Sequence, residues 1–373
     1  MTEAKVPDMQ RHVSMVILCA LALATIGVLI QVAVDSPLAQ VPYQRAARQA
    51  IYVVAAALLA FGASLIGYRR AVNLAPWGLY ATWALLAVLL LPGMPRRGGA
   101  VRWIDLGPFN MQPSELAKLA LVLFIPYLAE KRGDRFRTLR GGLLPALGWV
   151  GFTCFLVLLE PDLGQTVLLF ILAAVLLVVN GVKLQYFLLL ISLGVPGLIA
   201  FMGDRWDYVR ARIEGFLGEG SYQVRQGLIF FAEGGPLGTG VGEGRSQLFV
   251  PEIHNDFALV AVAEQAGFFG SLCVVALFLG LCWSGFRIAM AARDRAGFTV
   301  AFGASFMIAL QAAINISVVT GSVPPKGMSI PFLSFGGSSL LMLGIAVGLL
   351  LSVAKGEEEP ALASAAQLQG AAS

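Results

Sequence analysis

The 373-residue chain is 58% hydrophobic and only 13% charged, with a net charge of +4 and a mean hydropathy of +0.78, against about 25% charge in an ordinary soluble domain. So few charges cannot cover a water-facing surface, which excludes a soluble multidomain enzyme, a disordered chain, a coiled coil and a nucleic-acid binder. The four cysteines lie inside apolar runs without CxxC spacing and the two histidines are His12 and His254, so neither a disulfide framework nor a His-rich metal site is expected.

A membrane helix needs about 20 mostly apolar residues. In chain order the runs that qualify are 13–34, 51–68, 74–94, 114–129, 141–159, 163–182, 184–203, 257–283, 298–317 and 334–354. The first is too long for a signal-peptide core and lacks a cleavage site, so it is read as a span. The expected fold is all-α, a polytopic membrane protein with ten transmembrane helices over 13–354 and one long extracytoplasmic loop, about 204–256. Residues 1–12 form an N-terminal tail, and 355–373, with an acidic patch and an Ala/Ser/Gln run, a disordered one.

An even number of spans puts both termini on one side. Fourteen Lys and Arg fall on that side, against six (Arg45, Arg48, Arg96, Arg97, Arg102 and Lys326) in the short loops opposite. Five more sit in the long loop and weigh little in the positive-inside rule, so both termini are expected in the cytoplasm. The segments 92–113, 160–162, 204–256 and 321–335 then lie outside. The run Gly238, Gly240, Gly242, Gly244 lacks the preceding strand and the GK[ST] lysine of a phosphate loop, so nucleotide binding is not expected.

Ionisable groups at membrane depth are costly and point to function. Glu115 and Lys118, spaced i,i+3, share a helix face and can pair; such a pair either glues helices or floors an outward-facing cavity. Glu252, His254 and Asp256 stand at the membrane boundary just before a span, where an acid is either a helix cap or a catalytic group. Glu264, deeper in that span, is either functional or a buried hydrogen-bonded carboxyl. Arg102, Arg210 and Arg245 are outside cations suited to a phosphate at headgroup level. The Pro324-Pro325-Lys326 turn and the Phe335–Ser339 segment, with Ser338, break the last outer loop, and broken backbone near the membrane requires a protein or water-lined surround.

The segments Gly99-Ala-Val-Arg-Trp-Ile-Asp-Leu-Gly107, Gln112-Pro-Ser-Glu-Leu-Ala-Lys118, Glu160-Pro-Asp-Leu-Gly164, Pro251-Glu-Ile-His-Asn-Asp-Phe257 and Pro331-Phe-Leu-Ser-Phe-Gly-Gly-Ser-Ser339 together resemble the SEDS family of bacterial cell-wall proteins, FtsW, RodA and SpoVE. The resemblance runs from first span to last. It implies a peptidoglycan glycosyltransferase of the cytoplasmic (inner) membrane that polymerises lipid II. The implied partners are lipid II and lipid-linked glycan, a class B penicillin-binding protein, and other division or elongation membrane proteins. It places the family's essential aspartate on Asp256 and its cavity pair on Glu115 and Lys118. Asn255 replaces the usual Thr, Gln265 a Glu and Phe335 a Tyr. Gly98-Gly-Ala100 and Pro325-Lys326-Gly327 look more like the division-associated FtsW branch than the RodA branch. No cofactor is expected, although a divalent cation is compatible with the chemistry. A lipid II flippase and a non-catalytic scaffold are the alternative functions. The candidate site comprises Asp256 as base, with Glu115, Lys118, Arg102, Arg210, Arg245, Glu252, His254, Lys326 and Ser338 around the substrate.

Overall fold

The computed structural model describes residues 5–35, 43–94, 101–107, 109–186, 222–324 and 327–370. Its helices are α1 (Lys5–Val34), α2 (Gln44–Ile66), α3 (Tyr68–Leu89), α4 (Pro113–Arg132), α5 (Leu144–Leu159), α6 (Leu163–Val179), α7 (Tyr222–Gly234), the single turn α8 (Ser246–Phe249), α9 (Ala258–Ala291), α10 (Arg295–Val319) and α11 (Gly337–Gly370). The β structure among the described residues is one hairpin, β1 (Ile104–Asp105) and β2 (Asn110–Met111), with Ile104 opposite Met111. The protein is an all-α, multi-pass membrane protein. Among the described residues, seven helices are long and apolar enough to cross a bilayer. Of the other expected spans, α4 carries Glu115 and Lys118, α6 has 17 residues, and 184–203 lies mostly outside the described residues. α11 runs on to Gly370, so it takes in much of the stretch for which disorder is expected; the Ala and Glu there are good helix formers.

Lipid gives no hydrophobic reason for helices to associate, so close packing through small residues has to supply it. α11 and α2 meet in this way. A Cβ on Gly344 would fall 2.4 Å from the Ala56 carbonyl, and one on Gly348 2.2 Å from that of Ala60. On its other side α2 shows Ile51, Val54, Leu58 and Leu65 to lipid, each more than 60% exposed. α4 is enclosed, with Ala117, Leu119, Ala120, Leu121, Val122 and Ile125 all buried. It is the central post onto which Glu115 and Lys118 are fixed.

α9 is interrupted at Gly267, whose φ of 68° is open to glycine and strained for other residues. The break frees helical carbonyls inside the protein, and the glycine-rich loop satisfies them: Thr239 N donates to Glu264 O at 2.9 Å and Gly240 N to Gln265 O at 3.2 Å. In return Phe268 N donates to Gly235 O at 2.8 Å. Gly238, at φ 84°, lies so close to the break that a Cβ would stand 2.1 Å from the Gln265 carbonyl. The glycine run therefore stitches the loop before α9 into a broken membrane helix.

Candidate active site

The turn 251–257 precedes α9, anchored by buried Ile253 and Phe257. Glu252 takes a left-handed φ of 57°, and its carbonyl accepts from Asn255 N at 2.9 Å. Non-glycine residues held in that region cost energy and persist only where the surroundings fix them. Three consecutive carbonyls supply the fixing. His254 O accepts from Phe335 N at 2.9 Å and from Gln31 Nε2 at 3.2 Å. Asn255 O accepts from Ser334 Oγ at 2.5 Å, a hydroxyl that also receives Ile330 N at 2.8 Å. Asp256 O accepts from Asn315 Nδ2 at 2.8 Å, and the same amide reaches Met328 O at 2.6 Å. α1, α10 and the loop before α11 thus clamp the peptide that carries Asp256. The non-helical stretch Ser334–Gly336, which the apolar run assigns in part to a span, exists to make these contacts.

The Asp256 side chain is half-buried. Burial pushes its pKa from the ordinary 3.8 up to about 7, helped by Glu252 and Asp162 and opposed by Arg102. Such a carboxyl sits between proton acceptor and donor at neutral pH, the condition a general base requires. Glu160, 2% exposed, goes to about 9 through burial and then Asp162, with Arg102 again opposing. His254 is lowered, first by burial and then by Arg45, and its Nε2 stands 3.6 Å from Glu252 Oε2.

Beside this turn runs one connected polar chain. Arg102 donates to Pro161 O at 2.8 Å, and its Nε stands 3.5 Å from Asp162 Oδ2. Asp162 Oδ1 caps α6 by accepting from Gln165 N at 3.2 Å. Gln165 Nε2 donates to Glu115 Oε1 at 3.2 Å, which also receives Lys118 Nζ at 2.8 Å. Lys118 Nζ reaches Gln311 Oε1 at 2.6 Å, and Gln311 Nε2 donates to Ser329 O at 2.9 Å. Glu115 and Lys118 are 3% and 1% exposed. Gln311 and Asn315, i,i+4 on α10, join the ion pair to the Asp256 clamp.

Arg102, Glu115, Lys118, Glu252, His254 and Asp256 therefore belong to one region. Ser338 serves it indirectly: its hydroxyl donates to Asn110 O at 2.6 Å and accepts Gln112 N at 2.9 Å, tying α11 to the start of α4. Arg245 is exposed, and its backbone N donates to Glu264 Oε1 at 2.5 Å. Ser246 N adds to the same carboxylate at 3.2 Å, so Glu264, 1% exposed, is a structural acceptor for the loop before α9. Arg210 and Lys326 lie outside the described residues. Sequence reasoning passes over Gln165, Gln311, Asn315 and Ser334. The available signal is an amide pair at helical spacing inside an apolar run. Among the described residues, no group of three or more His, Cys, Asp or Glu is placed to hold a metal ion.

The model of the family described as cell cycle protein, FtsW, RodA and SpoVE, matches residues 13–359. The probable peptidoglycan glycosyltransferase FtsW of Geobacter sulfurreducens is 33% identical over 366 residues, covering 93% of this chain and 96% of the relative. Stage V sporulation protein E of Bacillus subtilis is 36% identical over 317 residues, 80% of this chain and 86% of the relative. A chain solved in a study of how a peptidoglycan synthase complex coordinates polymerization and crosslinking superposes with a TM-score of 0.76 at 25% identity. It covers 92% of this chain and 97% of that one. The rod shape determining protein RodA of Thermus thermophilus superposes at 0.68 with 26% identity, over 92% and 96%. With nearly the whole chain matched in sequence and in helical architecture, this protein belongs to the FtsW/RodA/SpoVE family.

Proposed function

We propose that the chain is a peptidoglycan glycosyltransferase that polymerises lipid II at the outer face of the bacterial cytoplasmic membrane, with both termini in the cytoplasm. The relatives named peptidoglycan glycosyltransferase support the activity. The observation that carries the site assignment is the clamp on residues 254–256, which fixes a carboxyl poised near neutrality in the field of Arg102.

In this reading the 4-hydroxyl oxygen of one lipid-linked disaccharide attacks the anomeric carbon of another. The bond from that carbon to the undecaprenyl pyrophosphate breaks, and the hydroxyl proton passes to Asp256. An α-linked donor giving a β-linked product requires in-line attack from the face opposite the leaving group. The base must then lie within about 3 Å of the hydroxyl. Pyrophosphate leaves readily, so the second carboxylic acid of inverting glycosidases is not obligatory. What it needs is charge stabilisation, for which Arg102 at the Asp162 end of the polar chain is suited. Glu115 and Lys118, buried and bonded to amides on both sides, act as the floor that sets α4 against α10.

The division-associated branch fits best, and a class B penicillin-binding protein is the expected transpeptidase partner, as in a synthase complex that couples polymerization to crosslinking. The test is incubation of the purified chain with lipid II, with and without the transpeptidase, followed by gel analysis of glycan ladders. Ladders in detergent support polymerisation. Their absence in both arms, with lipid II crossing the bilayer of reconstituted vesicles, would favour the flippase.

A further inference from the structure

A second concavity lies at the opposite end of α4 from the Glu115 pair. It has a volume of about 350 Å³ and is lined by Pro76 and Tyr80 of α3, Phe124, Tyr127, Lys131 and Arg132 of α4, and Trp149 of α5. Pro76 and Pro126 each remove one intrahelical hydrogen bond here. Trp149 forms the back wall, stacked on Trp83 at 5.3 Å and packed on Phe124 at 5.0 Å and Tyr80 at 5.9 Å. At the rim the Lys131 ammonium stands 5.6 Å over the Tyr127 ring and 3.4 Å from its hydroxyl. Arg132 uses Nη1 to donate to Gly141 O at 2.9 Å, leaving most of its five N–H donors for other acceptors. Both cations are exposed.

The depth of the pocket identifies its occupant. At 1.5 Å per residue, Trp149 lies about 15 Å from the start of the span Leu139–Leu159 and Pro76 about 12 Å along α3 from Tyr68, while Lys131 and Arg132 close α4. The aromatic wall thus runs inward from cations at the membrane–water boundary to mid-membrane depth. The mouth faces lipid, since Trp77 is 72% and Tyr80 45% exposed. An aromatic floor with two cations at its lip has the chemistry of a site for a phosphate that carries acyl chains. Basic pockets between membrane helices on the cytoplasmic side bind anionic lipid headgroups. We propose that this pocket holds an anionic phospholipid of the termini-side leaflet, its phosphate between Lys131 and Arg132 and an acyl chain running inward along Tyr80 to Trp149.

The full-length chain, purified in detergent, is exposed to phosphatidylglycerol, cardiolipin or phosphatidylcholine, and retained lipid is counted by native mass spectrometry. Wild type should keep the anionic lipids and lose the zwitterionic one. At roughly fivefold per cation near the surface, K131Q/R132Q should retain anionic lipid about thirtyfold less well. K131Q alone, which leaves the Arg132–Gly141 contact in place, should fall about fivefold. R287Q, a cation removed elsewhere, should change nothing. Equal retention of all three lipids by wild type, or undiminished anionic retention by K131Q, would overturn the assignment. Displacement of bound lipid by millimolar inorganic phosphate would also overturn it, because the site would then read an anion and not a lipid.

Discussion

Gly327 stands directly against the Asp256 carboxylate: a Cβ at position 327 would fall 2.6 Å from Oδ2 and 3.5 Å from Cγ. The obstructed atoms are the end of a side chain that can rotate, so Gly327→Ala should fold with little loss of stability. The rotation moves the oxygen proposed to take the proton, and a misplacement of about 1 Å can cost about 10²-fold in rate. Polymerisation should fall by that order while the melting temperature stays within a few degrees. Gly327→Ala with normal polymerisation would show that the carboxylate is not held to a defined position.

The Glu115–Lys118 pair is buried, so removing one partner strands the other. Breaking a buried pair this way costs about 3–5 kcal/mol. Glu115→Ala and Lys118→Ala should each lower the melting temperature and activity sharply. The charge-swapped double variant should recover part of both, because Gln165 and Gln311 can present either end of their amides. Unchanged melting in both single variants would mean the pair contributes nothing to the floor.

Asp256 and Glu160 predict a pH dependence with a definite sign. A general base works deprotonated, so kcat/KM should rise with pH through about 7 and then level. Both folded pKa values lie above the ordinary ones, so the folded chain keeps protons that the unfolded chain has released. Stability is therefore full at low pH and lost as pH rises, from 3.8 to about 7 for Asp256 and from 4.5 to about 9 for Glu160. Glu160→Gln resembles the protonated acid. It should match wild type in thermal stability near pH 4, exceed it at pH 7 and exceed it further at pH 9; a variant no more stable than wild type at pH 9 would contradict the burial argument.

Much of this was legible in the sequence. Apolar run lengths marked the membrane helices, and the i,i+3 spacing of Glu115 and Lys118 foretold the observed 2.8 Å contact. Amides were harder to read. Gln311 and Asn315 carry no charge and scarcely dent an apolar run, yet they connect the ion pair to Asp256. The break at Gly267 was hidden too, because one glycine in an apolar stretch is tolerated by a continuous helix and only the docked glycine-rich loop shows that this helix stops. Residue type and position alone did not separate Glu264 from Asp256; only the resemblance of the 251–257 segment did. Both are acids near the start of α9, and only tertiary structure commits Glu264 to the Arg245 and Ser246 amides.

The proposed orientation in the membrane rests on the asymmetry of Lys and Arg between loops. Alkaline phosphatase fused after Lys355 should be inactive in cells, and the same enzyme inserted at Gly240 active. The reverse pattern would put Asp256 on the cytoplasmic side, away from an extracytoplasmic acceptor glycan.

The most direct test of the account is Asp256→Asn in the lipid II polymerisation assay. The amide keeps the shape of the carboxylate and leaves the Asn315 contact intact, since that contact is made to the backbone carbonyl. Loss of a general base lowers the rate by about 10²–10⁴-fold. Glycan ladders should therefore disappear while melting temperature and transpeptidase binding stay at wild-type values, with Glu252→Gln as the control for lost negative charge. Normal ladders from Asp256→Asn together with none from Glu252→Gln would contradict the account and move the base to the other side of His254.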